Sequence, residues 1–366
     1  MRRARSFDAT IFFITTALVI GGFLIFMSAS LGLLAREGAQ FSDIATSQLT
    51  LGVIGGFVAL FITSAIPYRL YRTYAFHLFI ASVVATAFVF VPGIGLTLNG
   101  ARSWLDFGVT TFQPAEALKI GYVLYLATWL SRRPKKTTPF FERVLPLGLV
   151  TGVVGALLLL QPDTGTFVVI ASAGAAMFVA SGAKVRDILI LGVVGLLGIG
   201  AFVAVHPHAL ERIATFANPA ADPLGAGYQV QKSLIAVGSG QVFGRGFGQS
   251  IQKFTTLPEP TSDSIFAVFA EEFGFIGGAL LIIGFLIFAL RGLSIAARAP
   301  DAFGGLVAVG IVILITVQSF LNIGSMLAVF PLTGLPLIFV SHGGSALFMA
   351  LASVGILLSI SRSVRT

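Results

Sequence analysis

Stretches of about twenty apolar residues recur along this chain, separated by shorter segments that hold most of its charge. A helix of that length crosses roughly 30 Å of hydrocarbon at 1.5 Å per residue, and lipid offers no partner to an exposed peptide group, so the runs predict helices. Charge and Pro/Gly punctuation place them near 9–35, 48–67, 73–95, 114–131, 143–161, 164–181, 187–206, 263–290, 302–326 and 333–361. The expected fold is all-α: a polytopic membrane protein with about ten transmembrane helices, one transmembrane domain over 1–366, and a long loop at about 207–262 between spans seven and eight. The first run follows basic residues as a signal peptide would, but it is too long for one and lacks a cleavage site, so it reads as a retained span.

Ten spans put both termini on one side. That side carries 16 of the 23 Lys and Arg: Arg2, Arg3, Arg5, Arg69, Arg72, Arg132, Arg133, Lys135, Lys136, Arg143, Lys184, Arg186, Arg291, Arg298, Arg362 and Arg365. Basic loops mark the cytoplasmic face, which places the termini in the cytoplasm and the 207–262 loop outside. Composition agrees, with 56% hydrophobic and 10% charged residues and a mean hydropathy of +0.96, against roughly 25% charged in a soluble domain. The formal charge of +8 is accounted for by these loops and does not require a nucleic acid partner. The absence of cysteine excludes a disulfide framework, a thiolate nucleophile and a cysteine metal site. No internal repeat is visible, which weighs against a repeat-built transporter.

The remaining charges carry the candidate chemistry. In Leu257-Pro-Glu-Pro-Thr-Ser-Asp263, a proline-stiffened loop hands into a span, with Glu259 close by in sequence. Asp263 reads either as a helix start, with Thr261 or Ser262 as cap and a lowered pKa, or as a general base whose pKa is adjusted by desolvation, by Glu259 or by a metal. Glu271 and Glu272 follow eight and nine residues on, about 12–13 Å deeper and turned about 80° and 180° from Asp263 on a regular helix. They read as transport residues or as carboxyls hydrogen-bonded in a helix interface. Glu116 and Lys119, at the start of the fourth span, read as an i,i+3 ion pair or as substrate-lining groups. Arg102, in Asn99-Gly-Ala-Arg-Ser-Trp, and Arg245 and Lys253, in the glycine-rich stretch 238–253, could meet a phosphate; that stretch equally reads as a plain flexible loop and matches no nucleotide fingerprint. Asp163 reads mostly as a helix cap, and the four histidines lack metal-site spacing. From these residues alone, a transporter, an enzyme and a non-catalytic scaffold all remain open.

Nearly the whole chain resembles the SEDS family of bacterial membrane proteins (FtsW, RodA, SpoVE). The likeness runs through Gly100-Ala-Arg-Ser-Trp-Leu-Asp, Phe112-Gln-Pro-Ala-Glu-Ala-Leu-Lys, Gln161-Pro-Asp-Thr-Gly-Thr, Asp222-Pro-Leu-Gly-Ala-Gly-Tyr-Gln, Gly244-Arg-Gly-Phe-Gly-Gln-Ser, Leu257 to Gly274, Thr333-Gly-Leu-Pro-Leu and Ser341-His-Gly-Gly-Ser. The wording around Pro258 and Asn99 is nearer to FtsW or SpoVE than to RodA. Ser264 stands where many members have Phe, and His342 where many have Tyr.

The resemblance implies a peptidoglycan glycosyltransferase of the bacterial cytoplasmic (inner) membrane that polymerises lipid II at the outer face, for cell division or elongation. Its implied partners are a class B penicillin-binding protein as transpeptidase and other divisome or elongasome membrane proteins, with no nucleic acid. The family's essential aspartate falls on Asp263, its fourth-span pair on Glu116 and Lys119, and its loop arginine on Arg102. Asp263 is then the expected catalytic base, and Arg102, Glu116, Lys119, Arg245, Lys253 and Glu259 the expected substrate-binding set. Mg2+ or Mn2+ is the expected cofactor, with no nucleotide or organic group. The rival activity is a lipid II flippase, for which Glu271 and Glu272 would be the natural residues.

Overall fold

The structure is a computed structural model that describes residues 7–37, 45–98, 101–106, 111–132, 140–205, 207–218 and 226–364. Asn99, Gly100, His206, Asp222 and the terminal and loop cations Arg2, Arg3, Arg5, Arg133, Lys135, Lys136 and Arg365 lie outside the described residues.

Each of the ten apolar runs contains a helix. In chain order these are α1 (Ala9–Glu37), α2 (Ala45–Ala65, π-helical over Gln48–Gly55) and α3 (Tyr68–Ala87, closed by a 3-10 turn at Phe88–Phe90). Next come α4 (Pro114–Leu130), α5 (Phe140–Leu160), α6 (Thr164–Ala180) and α7 (Val185–Val205). The 207–262 segment holds α8 (Pro207–Ala217), α9 (Ala226–Ser239) and the single turn α10 (Gln252–Thr255). The chain ends with α11 (Ile265–Ala297), α12 (Ala302–Met326) and α13 (Gly344–Ser361). Among the described residues, six helices are by themselves long and apolar enough to cross a membrane: α1, α2, α3, α11, α12 and α13.

α12 is the central helix, packed against α4, α6, α11 and α13, while α2 lies along α13, α3 along α4, and α1 and α9 along α11. Small residues set these approaches, with Gly310 against Val123 and Met177, and Gly355 against Leu60 and Thr63. The Thr63 hydroxyl also donates to the Ala352 carbonyl at 2.8 Å. Such interhelical bonds average about 0.6 kcal/mol in membranes, so close packing rather than polar glue decides the arrangement. Phe13, Ile20, Phe61, Ile62, Leu280 and Leu290 point outward and exposed, an apolar surface suited to lipid and not to water.

Three expectations need correction. The all-α reading misses a three-stranded antiparallel sheet, β1 (Gly95–Leu98), β2 (Ala101–Asp106) and β3 (Thr111–Phe112), in which Leu96 faces Trp104 and Leu105 faces Phe112. The tenth span, expected from 333, becomes helical only at Gly344, because Pro331 and Pro336 cannot continue a helix and Gly334 sits at φ +67. The irregular stretch 331–343 is nonetheless packed, with Leu335, Leu337, Ile338, Phe339 and Val340 buried. The eighth span runs past 290 to Ala297 and is broken at Gly274, where φ is +66.

That break is filled from the glycine-rich loop. The N–H groups of Arg245 and Gly246 donate to the carbonyls of Glu271 and Glu272 at 3.0 and 2.9 Å, and those of Phe275 and Ile276 donate to the carbonyls of Gln241 and Val242 at 2.8 and 3.2 Å. A β-carbon at Gly244 would collide with the Glu272 carbonyl, so glycine is what lets the two backbones meet. The loop is therefore a packed plug, and the amides of Arg245 and Gly246 are occupied.

Candidate active site

Asp263 lies just before α11, whose N-cap is Ser264, and neither residue caps the helix with its side chain. The turn that presents it is tight: the N–H groups of Ser262 and Ser264 both donate to the Glu259 carbonyl, at 3.2 and 3.1 Å, and Glu259 adopts a left-handed φ of 44. The Ser262 hydroxyl donates to Glu259 Oε2 at 2.9 Å, and Gln229 of α9 donates to the Ser264 hydroxyl at 3.0 Å. The capping reading, with its lowered pKa, does not hold. Burial first, and the Glu259 carboxylate second, push the Asp263 carboxyl up to about 6, while the positive charge of Arg212 on α8 pulls the other way. His342 shares this neighbourhood; burial lowers its pKa and Glu259 opposes the shift. In front of Asp263 stands Gly334, where a β-carbon would come within 3.7 Å of Oδ2. Asp263 is half-buried, and at this position glycine sets no side chain against its carboxylate.

The same loop is held from behind by α12. Asn322 Nδ2 donates to the carbonyls of Asp263 at 2.8 Å and Leu335 at 2.7 Å, and Gln318 Nε2 donates to the carbonyl of Pro336 at 3.1 Å. Gln318 also accepts from Lys119 Nζ at 2.7 Å, and Lys119 pairs with Glu116 at 2.7 Å. Glu116 and Lys119 are buried, so the i,i+3 ion pair is what forms. Through Gln318 it anchors the Pro336 carbonyl.

The other expected cations are also tied down. Arg102 donates to the carbonyls of Val91 at 2.8 Å and Gly95 at 3.3 Å, fastening the sheet to the carbonyl end of α3. Lys253 is wholly buried, bonded to Glu272 and to the Ser28 hydroxyl of α1. Arg245 pairs with Glu271 at 3.4 Å but keeps 39% of its side chain exposed. Glu271 further accepts from the hydroxyls of Ser250 and Ser239 and the N–H groups of Ile251 and Gln252. The two adjacent glutamates are thus interface carboxyls that staple α1, α11 and the glycine loop together.

This arrangement, a partly exposed carboxylate of raised pKa on a rigid loop, can be compared with known proteins. The family model described as Cell cycle protein, FtsW/RodA/SpoVE, matches residues 8–366. The chain belongs to this family. Stage V sporulation protein E of Bacillus subtilis is 39% identical over 98% of both chains. A probable peptidoglycan glycosyltransferase FtsW of a Geobacter species is 35% identical over 100% of this chain and 99% of the relative. Among solved structures, a chain from work on the structural coordination of polymerization and crosslinking by a peptidoglycan synthase complex matches with a TM-score of 0.78 at 30% identity, over 97% of this chain and 98% of its own. The crystal structure of the rod shape determining protein RodA of Thermus thermophilus matches with a TM-score of 0.71 at 27% identity, over 98% of each chain.

In this FtsW/RodA/SpoVE member, sequence reasoning gave no role to Arg212, Gln318 and Asn322, nor to Gln229 and Ser341, which it met only within stretches that carry the resemblance. Arg212 was visible only as one charge in a long loop. Gln318 and Asn322 carried a usable signal, since they are carboxamides four residues apart inside an otherwise apolar span, on one helix face.

Proposed function

We propose that the protein is a peptidoglycan glycosyltransferase that polymerises lipid II at the outer face of the bacterial cytoplasmic membrane, with Asp263 as its base. The observation that carries this is the Asp263 carboxyl, raised to about 6 on a half-buried residue that faces a glycine, Gly334. A base with a pKa near the working pH is ionised enough to act and basic enough to take a proton, an effect worth about 10²- to 10⁴-fold. The 4-hydroxyl of the acceptor sugar gives its proton to Asp263 as its oxygen bonds to the donor's anomeric carbon. The bond from that carbon to the lipid pyrophosphate breaks, with inversion from α to β. The charge of Arg212 acts on Asp263, and Arg212, Arg245 and Arg102 are the candidates to stabilise the departing pyrophosphate. A groove lined by Arg212, Phe216, Val230, Phe330 and Leu332 offers apolar walls to a lipid tail.

Glu259 and Asp263 present hard oxygen donors of the kind Mg2+ or Mn2+ prefers, although no group of three or more His, Asp or Glu gathers among the described residues, so substrate oxygens would have to complete the shell. Bound there, the ion would neutralise charge on the leaving pyrophosphate. The topology that goes with this function has ten spans, cytoplasmic termini and the 207–262 segment outside, in one transmembrane domain over 1–366. A class B penicillin-binding protein is the proposed partner, in keeping with the synthase complex of the structural relative. Other divisome or elongasome membrane proteins follow from the same reading.

The flippase alternative loses its main support, because Glu271 and Glu272 are spent on structural bonds. Proteoliposomes given lipid II on the outer face only, with the penicillin-binding protein bound, separate the two activities. The proposal expects glycan chains without lipid translocation; translocation without chains would overturn it.

A further inference from the structure

Gln48 opens the π-helical stretch of α2 and is buried at 2% exposure. A buried carboxamide in an apolar helix must find partners for its donor and its acceptor alike. Both ends meet the same short segment: Nε2 donates to the Ser341 carbonyl at 3.1 Å, and Oε1 accepts the Gly343 N–H at 3.0 Å. Between those two points, the His342 N–H donates to the Thr261 carbonyl at 2.7 Å. The Ser341 hydroxyl donates to the Ser262 carbonyl at 2.7 Å while accepting the Leu337 N–H at 2.8 Å. Thr261 and Ser262 are the two residues before Asp263. The loop that presents the carboxylate therefore hangs from a three-residue segment gripped at each end by one side chain.

The local geometry of α2 serves this grip. A β-carbon at Gly52 would sit 3.5 Å from the Gln48 carboxamide and 3.2 Å from Leu347 of α13, so the glycine gives the side chain room beside the start of α13. π-Helical turns are rare and cluster at functional sites, and this one begins at Gln48 itself.

We infer that Gln48 is a positioning residue for Asp263, acting through Ser341 and His342 on the backbone of Thr261 and Ser262. The inference rests on the reading of Asp263 as the base, but its mechanical half can be measured without any activity. Gln48→Met keeps the length of the side chain and removes both hydrogen bonds. Gln48→Glu, which keeps the acceptor and loses the donor, takes its place should Gln48→Met not fold.

The experiment combines amide hydrogen exchange of the purified protein with lipid II polymerisation in the presence of the class B penicillin-binding protein. Faster exchange is expected in 258–264 and 336–343. Turnover should fall about 10- to 100-fold with KM for lipid II within about twofold, because misplacing a reacting group by an ångström costs up to about 100-fold. Ser341→Ala should act along the same path, so that Gln48→Met with Ser341→Ala costs no more than the worse single change. Unchanged exchange in 258–264, unchanged turnover, or multiplicative losses in the double variant would each overturn the inference. Wild-type protein that makes no polymer would overturn the reading of Asp263 instead, and exchange alone would then decide whether the coupling exists.

Discussion

One nitrogen of Asn322 bonds the main-chain carbonyl of Asp263, 59 residues away in the chain, at 2.8 Å. The same nitrogen bonds the Leu335 carbonyl at 2.7 Å, so a single amide on the central helix fixes both walls of the site. Asn322→Leu would strip the buried Leu335 carbonyl and the part-buried Asp263 carbonyl of their donor, at up to about 1–3 kcal/mol for each group left unsatisfied. The expected outcome is a lower unfolding temperature together with at least a tenfold loss of polymerisation in protein that still folds. Thermal unfolding in detergent and a lipid II assay on the same preparation check it.

Activity should follow the ionisation of Asp263, rising with pH through about 6 and levelling above it. Glu259 helps to raise that pKa and Arg212 to lower it. Glu259→Gln is therefore expected to move the acid limb of the pH–rate profile to lower pH, and Arg212→Gln to move it higher. Profiles of kcat/KM for the two variants that shift in the same direction would contradict this assignment.

The raised pKa also has a sign for stability. A carboxyl that titrates near 6 when folded and near its ordinary 3.8 when unfolded contributes stability that is fully present below the lower value and lost as pH rises through the higher one. Asp263→Asn removes a charge that is unfavourable at neutral pH, so the inactive variant should be the more stable one, by roughly 1–2 kcal/mol near pH 7.5 after allowance for the partial exposure of the group. The gain should shrink towards zero as the pH falls to about 4. Unfolding temperatures measured across that range test it.

Lys253 and Glu272 make the opposite prediction. Lys253→Met leaves a buried carboxylate that, among the described residues, keeps the Ser28 hydroxyl as its side-chain partner, a change of the kind that costs about 3–5 kcal/mol. Pairing it with Glu272→Leu removes the stranded charge and should recover most of the loss. Residues that carried a substrate would behave differently, with the single variant stable but inactive and the double variant no better.

That the apolar runs are helical was legible because hydropathy over twenty residues is a coarse and robust signal. The pairing of Glu116 with Lys119 was legible because i,i+3 spacing on a helix is local. What escaped depends on partners distant in sequence. The stretch 331–343 is as apolar as a span, and bonds supplied from other elements, among them the carboxamides of Asn322, Gln318 and Gln48, let it stay irregular while buried. Lys253 looked available because its glycine-rich surroundings read as a flexible loop, whereas its burial comes from Glu272 and from Ser28 on α1. The strands of the small sheet are too short, at two to six residues, to register in a hydropathy window.

The most direct test of the central claim is glycan-chain formation from purified lipid II by the wild-type protein and by Asp263→Asn, each bound to its class B penicillin-binding protein. The account predicts polymer from the wild type and a loss of at least about 100-fold in the variant, with both proteins folded. Equal polymer from the two would place the base elsewhere and contradict it.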